Sequence, residues 1–123
     1  LSSVAGKRGS PNTAAYNAAN FGIQGFTQSL AMEVARQGIT VNAVCPGWVD
    51  TNLWKRNAQG LAAELAVKSE EEARRLAARK NSLNRFGKPE ELANAIVFLC
   101  SERASYITGV TILMDGAANP SVV

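Results

Sequence analysis

The chain contains no histidine and only two cysteines, and both shortages restrict the chemistry that it can perform. Without histidine, it can build neither a Ser-His-Asp triad nor a His-ligated zinc site. Cys45 and Cys100 lie in separate apolar stretches without C-x-x-C spacing, so we expect two buried, reduced thiols. Reduced thiols suit the cytoplasm, and we expect no metal centre.

Long apolar runs are missing as well, and charge of either sign is modest. No run of about eighteen apolar residues, the length that a membrane span requires, occurs in the chain. The net charge is +3, and the lysines and arginines are spread along the sequence, largely among acidic residues. Scattered basic residues are typical of a solvated surface, so we expect neither a membrane nor a nucleic-acid partner.

A long helix is the strongest local prediction. After the turn cluster Ser10–Thr13, the sequence predicts a helix to about Gln37 that ends at Gly38. Its predicted buried face consists of apolar residues spaced three and four apart: Tyr16, Ala19, Ile23, Phe26 and Leu30. A second stripe contains only small residues: Ala14, Ala18, Gly22, Gly25 and Ser29. Another element, such as the same protein's sheet, could approach this stripe closely.

Two short β-branched segments predict the strands of a parallel sheet. Ile39–Val44 lies between a glycine and a proline, and Val110–Met114 is closed by Asp115-Gly116. Between them, Pro89 begins a helix whose predicted core face is Leu92, Ala95, Ile96, Leu99 and Cys100. Together, these helices and strands indicate an α/β fold.

A charged, alanine-rich segment occupies about residues 52–86. Ser69 and Glu72 have the spacing of a capping box, and Glu70/Arg74 and Glu71/Arg75 have the spacing of helical ion pairs. This pattern predicts a helical excursion that is either a mobile substrate lid or a solvated helical surface. Leu53, Trp54 and Leu61 are candidate apolar lining residues for a lid.

The most informative pattern is a pair of hydroxyl residues followed by a Pro-Gly segment. Ser3 precedes Tyr16 by thirteen residues, Tyr16 opens the run Y-N-A-A-N, and V-N-A-V-C-P-G-W-V-D-T follows downstream. This combination resembles the active site of the short-chain dehydrogenase/reductase family. The resemblance implies the C-terminal half of a doubly wound, Rossmann-like parallel sheet, NAD or NADP as cofactor, and a small carbonyl or alcohol substrate. It also implies a homo-oligomer (dimer or tetramer), in which the long helix packs against its mate from another subunit. The segment 52–86 and the C-P-G-W-V-D-T run look more like the 3-hydroxybutyrate dehydrogenase and 3-oxoacyl reductase branches than the sugar-epimerising ones.

The resemblance also implies roles for three residues. Tyr16 would exchange a proton with the substrate oxygen, and Ser3 would donate a hydrogen bond to it. The family has a lysine four residues after the tyrosine, and this chain has Asn20. A lysine there places a positive charge ~5–6 Å from the phenol and favours phenolate by about 3 kcal/mol, or roughly two pKa units. Asparagine can hold a ribose hydroxyl but supplies no charge.

The Pro-Gly segment follows the first predicted strand, where open α/β sheets bind ligands. The resemblance places Pro46, Gly47, Val49 and Thr51 beside the nicotinamide. The backbone around Val49 would meet the carboxamide, and the Thr51 hydroxyl would reach the carboxamide or a phosphate. Trp48, Leu53 and Trp54 are then candidate substrate contacts.

The Gly-rich turn that holds a dinucleotide pyrophosphate is absent. The resemblance covers Leu1 to about Ala117 but only the C-terminal half of a family member. We therefore expect residues 1–123 to be the C-terminal part of a single Rossmann-like domain whose dinucleotide-binding half is missing. Three interpretations remain: a fragment of an NAD(P)-dependent oxidoreductase, a non-catalytic binding or assembly module, or an incomplete sequence of an active enzyme in which Asn20 is a substitution or an error.

Overall fold

The structure is a computed structural model that describes residues 1–64 and 66–119. Four helices and two strands occupy these ranges: α1 (Ala14–Val34), β1 (Ala43–Pro46), α2 (Asn52–Glu64), α3 (Glu70–Ala78), α4 (Pro89–Leu99) and β2 (Thr111–Met114). Short 3-10 turns cover Val4–Gly6, Ala35–Gln37 and Glu102–Ala104. The strands β1 and β2 pair in parallel, with Ala43 opposite Thr111 and Pro46 opposite Met114. The predicted α/β class is confirmed.

The strand β1 begins later than predicted, at Ala43 rather than Ile39. The segment before it is held mainly by side chains, together with a backbone bond from the Gly109 N–H to the Val41 carbonyl (2.8 Å). The Val41 N–H donates to the Thr108 hydroxyl (3.0 Å), and the Asn42 amide binds the Ile107 carbonyl (2.8 Å) and the Val110 N–H (3.3 Å). Because Asn42 satisfies these backbone groups through its side chain, regular strand pairing starts only after it.

One core packs α4 and the turn after it against the sheet. Val44, Leu99 and Ala104 are buried there, and Ile96 and Ile112 pack against them. Cys45 is fully buried, as predicted. The prediction that Cys100 is buried is wrong, because Cys100 lies just beyond the last residue of α4 and is exposed.

The predicted limits of the long helix are confirmed, but its predicted buried face is wrong. The helix α1 passes into a 3-10 turn and ends at Gly38, whose φ of 74° is left-handed. Tyr16 and Phe26 are exposed, and the buried positions are Asn17, Asn20, Thr27 and Ala31. The stripe of small residues is also exposed, and a Cβ on Gly22 or Gly25 would meet nothing within 4 Å. Within the described chain, no element covers this stripe.

The predicted helical excursion is confirmed as α2 and α3, which share a second core of Trp54, Ala58, Ala77 and Phe86. Ser69 caps α3 by accepting from the Glu72 N–H at 3.1 Å, as predicted. The other half of the capping box differs, since the Glu72 carboxylate accepts from the Lys68 N–H. The predicted ion pairs also differ: Arg74 binds Asp50, and Arg75 approaches Glu72 at 3.9 Å.

The start of α4 is fixed by a bidentate ion pair. The Arg85 guanidinium donates to both carboxylate oxygens of Glu91, at 2.7 and 2.6 Å. The Lys88 N–H donates to Glu91 at 2.7 Å. The hydrogen bond from Arg85, followed by that from Lys88, lowers the pKa of Glu91 from 4.5 to about 2.

This pKa shift predicts an acid-dependent stability. A carboxyl whose pKa falls on folding stabilises the folded state above its unfolded pKa and loses that effect as the pH falls through its folded pKa. We expect the denaturant midpoint of the wild type to fall more between pH 4.5 and 2 than that of Glu91→Gln, because glutamine does not titrate. Parallel pH profiles for the two proteins would contradict this assignment.

Candidate active site

The segment that carries Ser3 is docked on α1 by three amide side chains. Asn17, Asn20 and Gln24 are spaced three and four apart and therefore share one helix face, which we call the amide face. The Asn17 amide donates to the Ala5 carbonyl (2.6 Å) and the Arg8 carbonyl (2.7 Å). The Gln24 amide donates to the Gly6 carbonyl. These bonds satisfy carbonyls that a loop would otherwise leave unpaired.

Glycine is required at position 6 because the segment approaches α1 so closely. A Cβ on Gly6 would lie 2.6 Å from the Gln24 amide nitrogen and 2.7 Å from the Asn20 carbonyl oxygen. Sequence reasoning missed Gly6, Asn17 and Gln24. The spacing N-x-x-N-x-x-x-Q could have revealed a polar buried face.

Ser3 lies at the start of the docked segment and next to the sheet. Its hydroxyl oxygen accepts from the Ala5 N–H at 3.2 Å, and the neighbouring Ser2 N–H donates to the Val44 carbonyl at 2.8 Å. In the described chain, the Ser3 hydroxyl proton has no acceptor. Ser3 can therefore donate a hydrogen bond outward while it caps the 3-10 turn.

Tyr16 lies in the first turn of α1, between the turn cluster and the amide face. The residue is 54% exposed, and its hydroxyl has no hydrogen-bond partner among the described residues. The amide face thus ties together the two elements that carry Ser3 and Tyr16, and it leaves the donor capacity of both hydroxyls unused.

Asn20 is directed inward. It is 6% exposed, its amide nitrogen donates to the Tyr16 carbonyl at 2.8 Å, and its amide oxygen accepts from the Ser2 hydroxyl at 3.2 Å. Ser2 also donates to the Asn20 carbonyl at 3.0 Å. The side chain therefore links the docked segment to the helix turn that begins at Tyr16.

The Pro-Gly segment lies beyond the carboxyl end of β1, as predicted, and is bridged to Gly87, which follows the helical segment 52–86. Gly87 donates to the Trp48 carbonyl (2.9 Å) and accepts from the Asp50 N–H (2.9 Å). A parallel bridge of this kind directs the Val49 N–H and C=O to the opposite side. In the part of the chain that the structure describes, these two groups have no partner, and neither does the Thr51 hydroxyl. They fit the polar edge of a nicotinamide carboxamide.

Gly47 permits the close contact between this segment and the end of β2. A Cβ on Gly47 would lie 2.8 Å from the Asp115 Cβ and 2.9 Å from its Cα. We expect Gly47→Ala to lower the free energy of unfolding by ~1–3 kcal/mol, because the backbone must shift. The measurement is the denaturant midpoint.

The matched control is Gly60→Ala in α2, where an added Cβ meets nothing within 4 Å. Alanine in a helix interior stabilises by ~0.5–1 kcal/mol relative to glycine. Equal effects of the two substitutions would show that the Gly47 contact is not a constraint.

Two of the three predicted substrate residues, Trp48 and Trp54, belong to an aromatic cluster. Trp48, Trp54 and Phe86 make it up, with ring centroids 4.8–6.0 Å apart. Trp54 is buried within the cluster, whereas Trp48 and Leu53 are exposed. A groove of about 590 Å³ lies along α3 and Phe86, and a smaller cavity of about 140 Å³ lies between Trp48 and Asp115. Ser3, Tyr16 and Asn20 line neither, and substrate contact by Trp48, Leu53 and Trp54 stays a prediction.

The described residues contain neither a metal-binding cluster nor a membrane-spanning helix. No group of three or more His, Cys, Asp or Glu residues is placed to hold a metal ion there. None of the helices in residues 1–64 and 66–119 has the length and apolar character that crossing a membrane requires.

Comparison with known proteins assigns the chain to a family. A protein-family model described as Enoyl-(Acyl carrier protein) reductase matches residues 1–119. The 3-oxoacyl-(acyl-carrier-protein) reductase of Rickettsia felis is 41% identical over 94% of this chain and 43% of its own length. The inactive 2-(S)-hydroxypropyl-CoM dehydrogenase 2 of Xanthobacter autotrophicus is 44% identical over 93% of this chain and 47% of its own length.

A solved structure agrees with these relatives. The actinorhodin polyketide ketoreductase, solved with NADPH, matches with a TM-score of 0.89 and 34% identity over 97% of this chain and 46% of that one. The chain thus spans less than half the length of the relatives it matches. It belongs to the short-chain dehydrogenase/reductase family.

Proposed function

We propose that this chain is the C-terminal half of an NAD(P)-dependent oxidoreductase that interconverts a ketone and a secondary alcohol. The observation that carries the proposal is the exposed Tyr16 hydroxyl, which has no partner in the described chain and lies on the element to which the Ser3 segment is docked. Two donors on one rigid unit can serve one substrate oxygen. The match to the 3-oxoacyl reductase of Rickettsia felis favours a ketoreductase of that branch.

Tyr16 and Ser3 would have different roles at the substrate oxygen. When bound, a reduced nicotinamide supplies a hydride to the carbonyl carbon. The Tyr16 hydroxyl donates its proton to the carbonyl oxygen, where negative charge develops, and takes a proton back in the reverse direction. The Ser3 hydroxyl donates a hydrogen bond to the same oxygen. Because the Ala5 N–H is bound to the Ser3 oxygen, it orients the hydroxyl for this role.

The proposed cofactor contacts lie on the nicotinamide side only. The Val49 backbone groups and the Thr51 hydroxyl would hold the carboxamide beside Pro46 and Gly47. Tyr16 and Asn20 would approach the ribose, although the Asn20 amide already binds the Tyr16 carbonyl and Ser2. The chain does not fix the choice between NAD and NADP, because the pyrophosphate and adenosine contacts would belong to the other half.

This division of the site predicts that the 123-residue chain alone does not bind NADH or NADPH at micromolar concentration. The experiment is a titration of nicotinamide fluorescence with the isolated chain, and the complete protein is the positive control. Micromolar saturation by the isolated chain would show that the nucleotide site is contained in these residues.

The proposal includes a cytoplasmic homo-oligomer, a dimer or a tetramer. The surface of α1 that carries the exposed stripe of small residues also presents Phe21, Phe26 and Met32 to solvent. An apolar helical surface of this kind is suited to burial against another copy or against the other half of the protein. Light scattering of the complete protein would distinguish these arrangements, because only contact with another copy produces a dimer or tetramer.

The second candidate is a non-catalytic binding or assembly module. Its support is the inward orientation of Asn20, whose amide helps to hold the docked segment and supplies no charge to Tyr16. The relative from Xanthobacter autotrophicus is itself named inactive. Assays of the complete protein with ketones and NADH or NADPH separate the candidates, because only an oxidoreductase consumes the reduced cofactor.

A further inference from the structure

A charge pair joins the lid to the Pro-Gly segment. The Arg74 guanidinium in α3 donates to one Asp50 carboxylate oxygen at 3.0 Å and lies 2.8 Å from the other. Asp50 directly follows Val49, whose backbone groups are proposed to hold the nicotinamide carboxamide. The contact spans 24 residues of sequence and is therefore a tertiary link rather than a local helical pair.

The same guanidinium also lies over an aromatic ring. Its central carbon is 4.4 Å from the centroid of Phe86, which is packed edge-on against Trp54 at 4.8 Å. Arginine can bind a carboxylate with the edge of its planar group and an aromatic ring with its face. Both contacts fix the plane of the guanidinium, which distinguishes this pair from an ordinary surface ion pair.

Asp50 is thus held at two points, its backbone N–H and its side-chain carboxylate. Gly87 accepts from the Asp50 N–H, and Arg74 binds the Asp50 carboxylate. We propose that Arg74 is a positioning residue, which holds the segment 46–51 in the conformation that binds the nicotinamide. This inference rests on the proposed function. If Arg74 is removed, cofactor binding must order the segment, so the apparent affinity falls while kcat at saturation is largely retained.

The test compares Arg74→Met with Arg75→Met in the complete protein. Arg75 is the matched control because it is adjacent, 63% exposed, and 3.9 Å from Glu72. We expect Arg74→Met to raise the cofactor Kd and KM by ~10-fold and to change kcat less than about threefold. Arg74→Lys should give an intermediate cofactor Kd, because lysine keeps the charge but loses the bidentate contact with Asp50 and the contact with the Phe86 ring. Arg75→Met should match the wild type.

A second measurement does not depend on turnover. The chain has two tryptophans, and both lie in the cluster with Phe86. With tryptophans elsewhere in the protein replaced, acrylamide should quench Trp48 and Trp54 more strongly in Arg74→Met than in Arg75→Met. Similar Kd and quenching in the two variants would overturn the inference. If the wild type binds neither NAD nor NADP, the proposed function and the cofactor role of Arg74 are both wrong. The difference in quenching between the two variants would still show whether Arg74 holds the segment 46–51.

Discussion

Replacing Tyr16 with phenylalanine is expected to lower kcat of the complete protein by ~10²–10⁴-fold, the usual contribution of a positioned acid–base group. The substitution removes only the hydroxyl. Because that hydroxyl has no partner in the described chain and the residue is 54% exposed, the free energy of unfolding should change little. The measurements are ketone-dependent oxidation of the reduced nicotinamide and a denaturant melt.

Tyr106→Phe is the control. It removes the hydroxyl of the only other tyrosine in the chain, a fully exposed residue beyond α4. Its kcat should equal that of the wild type. If Tyr16→Phe also keeps wild-type turnover, Tyr16 is not the acid–base residue. The oxidoreductase mechanism proposed here would then be wrong.

The sequence predicted the limits of two helices better than the start of β1 or the buried face of α1. Gly38 and Pro89 mark helix limits through backbone geometry that is local to each residue, and the structure confirms both. The buried face of α1 was mispredicted because hydrophobic periodicity assumes that apolar residues face the protein. Asn17 is buried because its amide donates to the Ala5 and Arg8 carbonyls of the docked segment. Asn20 is buried because its amide oxygen accepts from the Ser2 hydroxyl of that segment.

Tertiary contacts also decided the partners of α3, which periodicity could not predict. The predicted partners of Arg74 and Arg75 were the acidic residues one helical turn away. Arg74 instead takes a bidentate partner in the Pro-Gly segment and an aromatic ring below it. The Pro-Gly segment itself was placed correctly, because ligands of parallel sheets bind beyond the carboxyl ends of strands. Sequence could not show that Gly87 bridges it, since that contact depends on how the helical segment 52–86 folds back.

Restoring a lysine at position 20 is expected to raise kcat at neutral pH by ~10–100-fold in the complete protein. An ammonium ~5–6 Å from the phenol favours phenolate by about 3 kcal/mol at an effective dielectric of ~20. The pH–rate profile for alcohol oxidation should move to lower pH. The substitution also removes the hydrogen bond between the Asn20 amide and the Ser2 hydroxyl, so some stability should be lost.

Asn20→Met separates the two effects. Methionine has a similar stem and removes the same hydrogen bonds to Ser2 and the Tyr16 carbonyl, but it carries no charge. We expect it to lose stability without gaining turnover. If Asn20→Lys also leaves turnover within twofold of the wild type, position 20 does not tune Tyr16. The inward Asn20 amide would then serve only to hold the Ser3 segment on α1. That result would favour the non-catalytic candidate, because the chain would keep the geometry of the site without the charge that activates Tyr16.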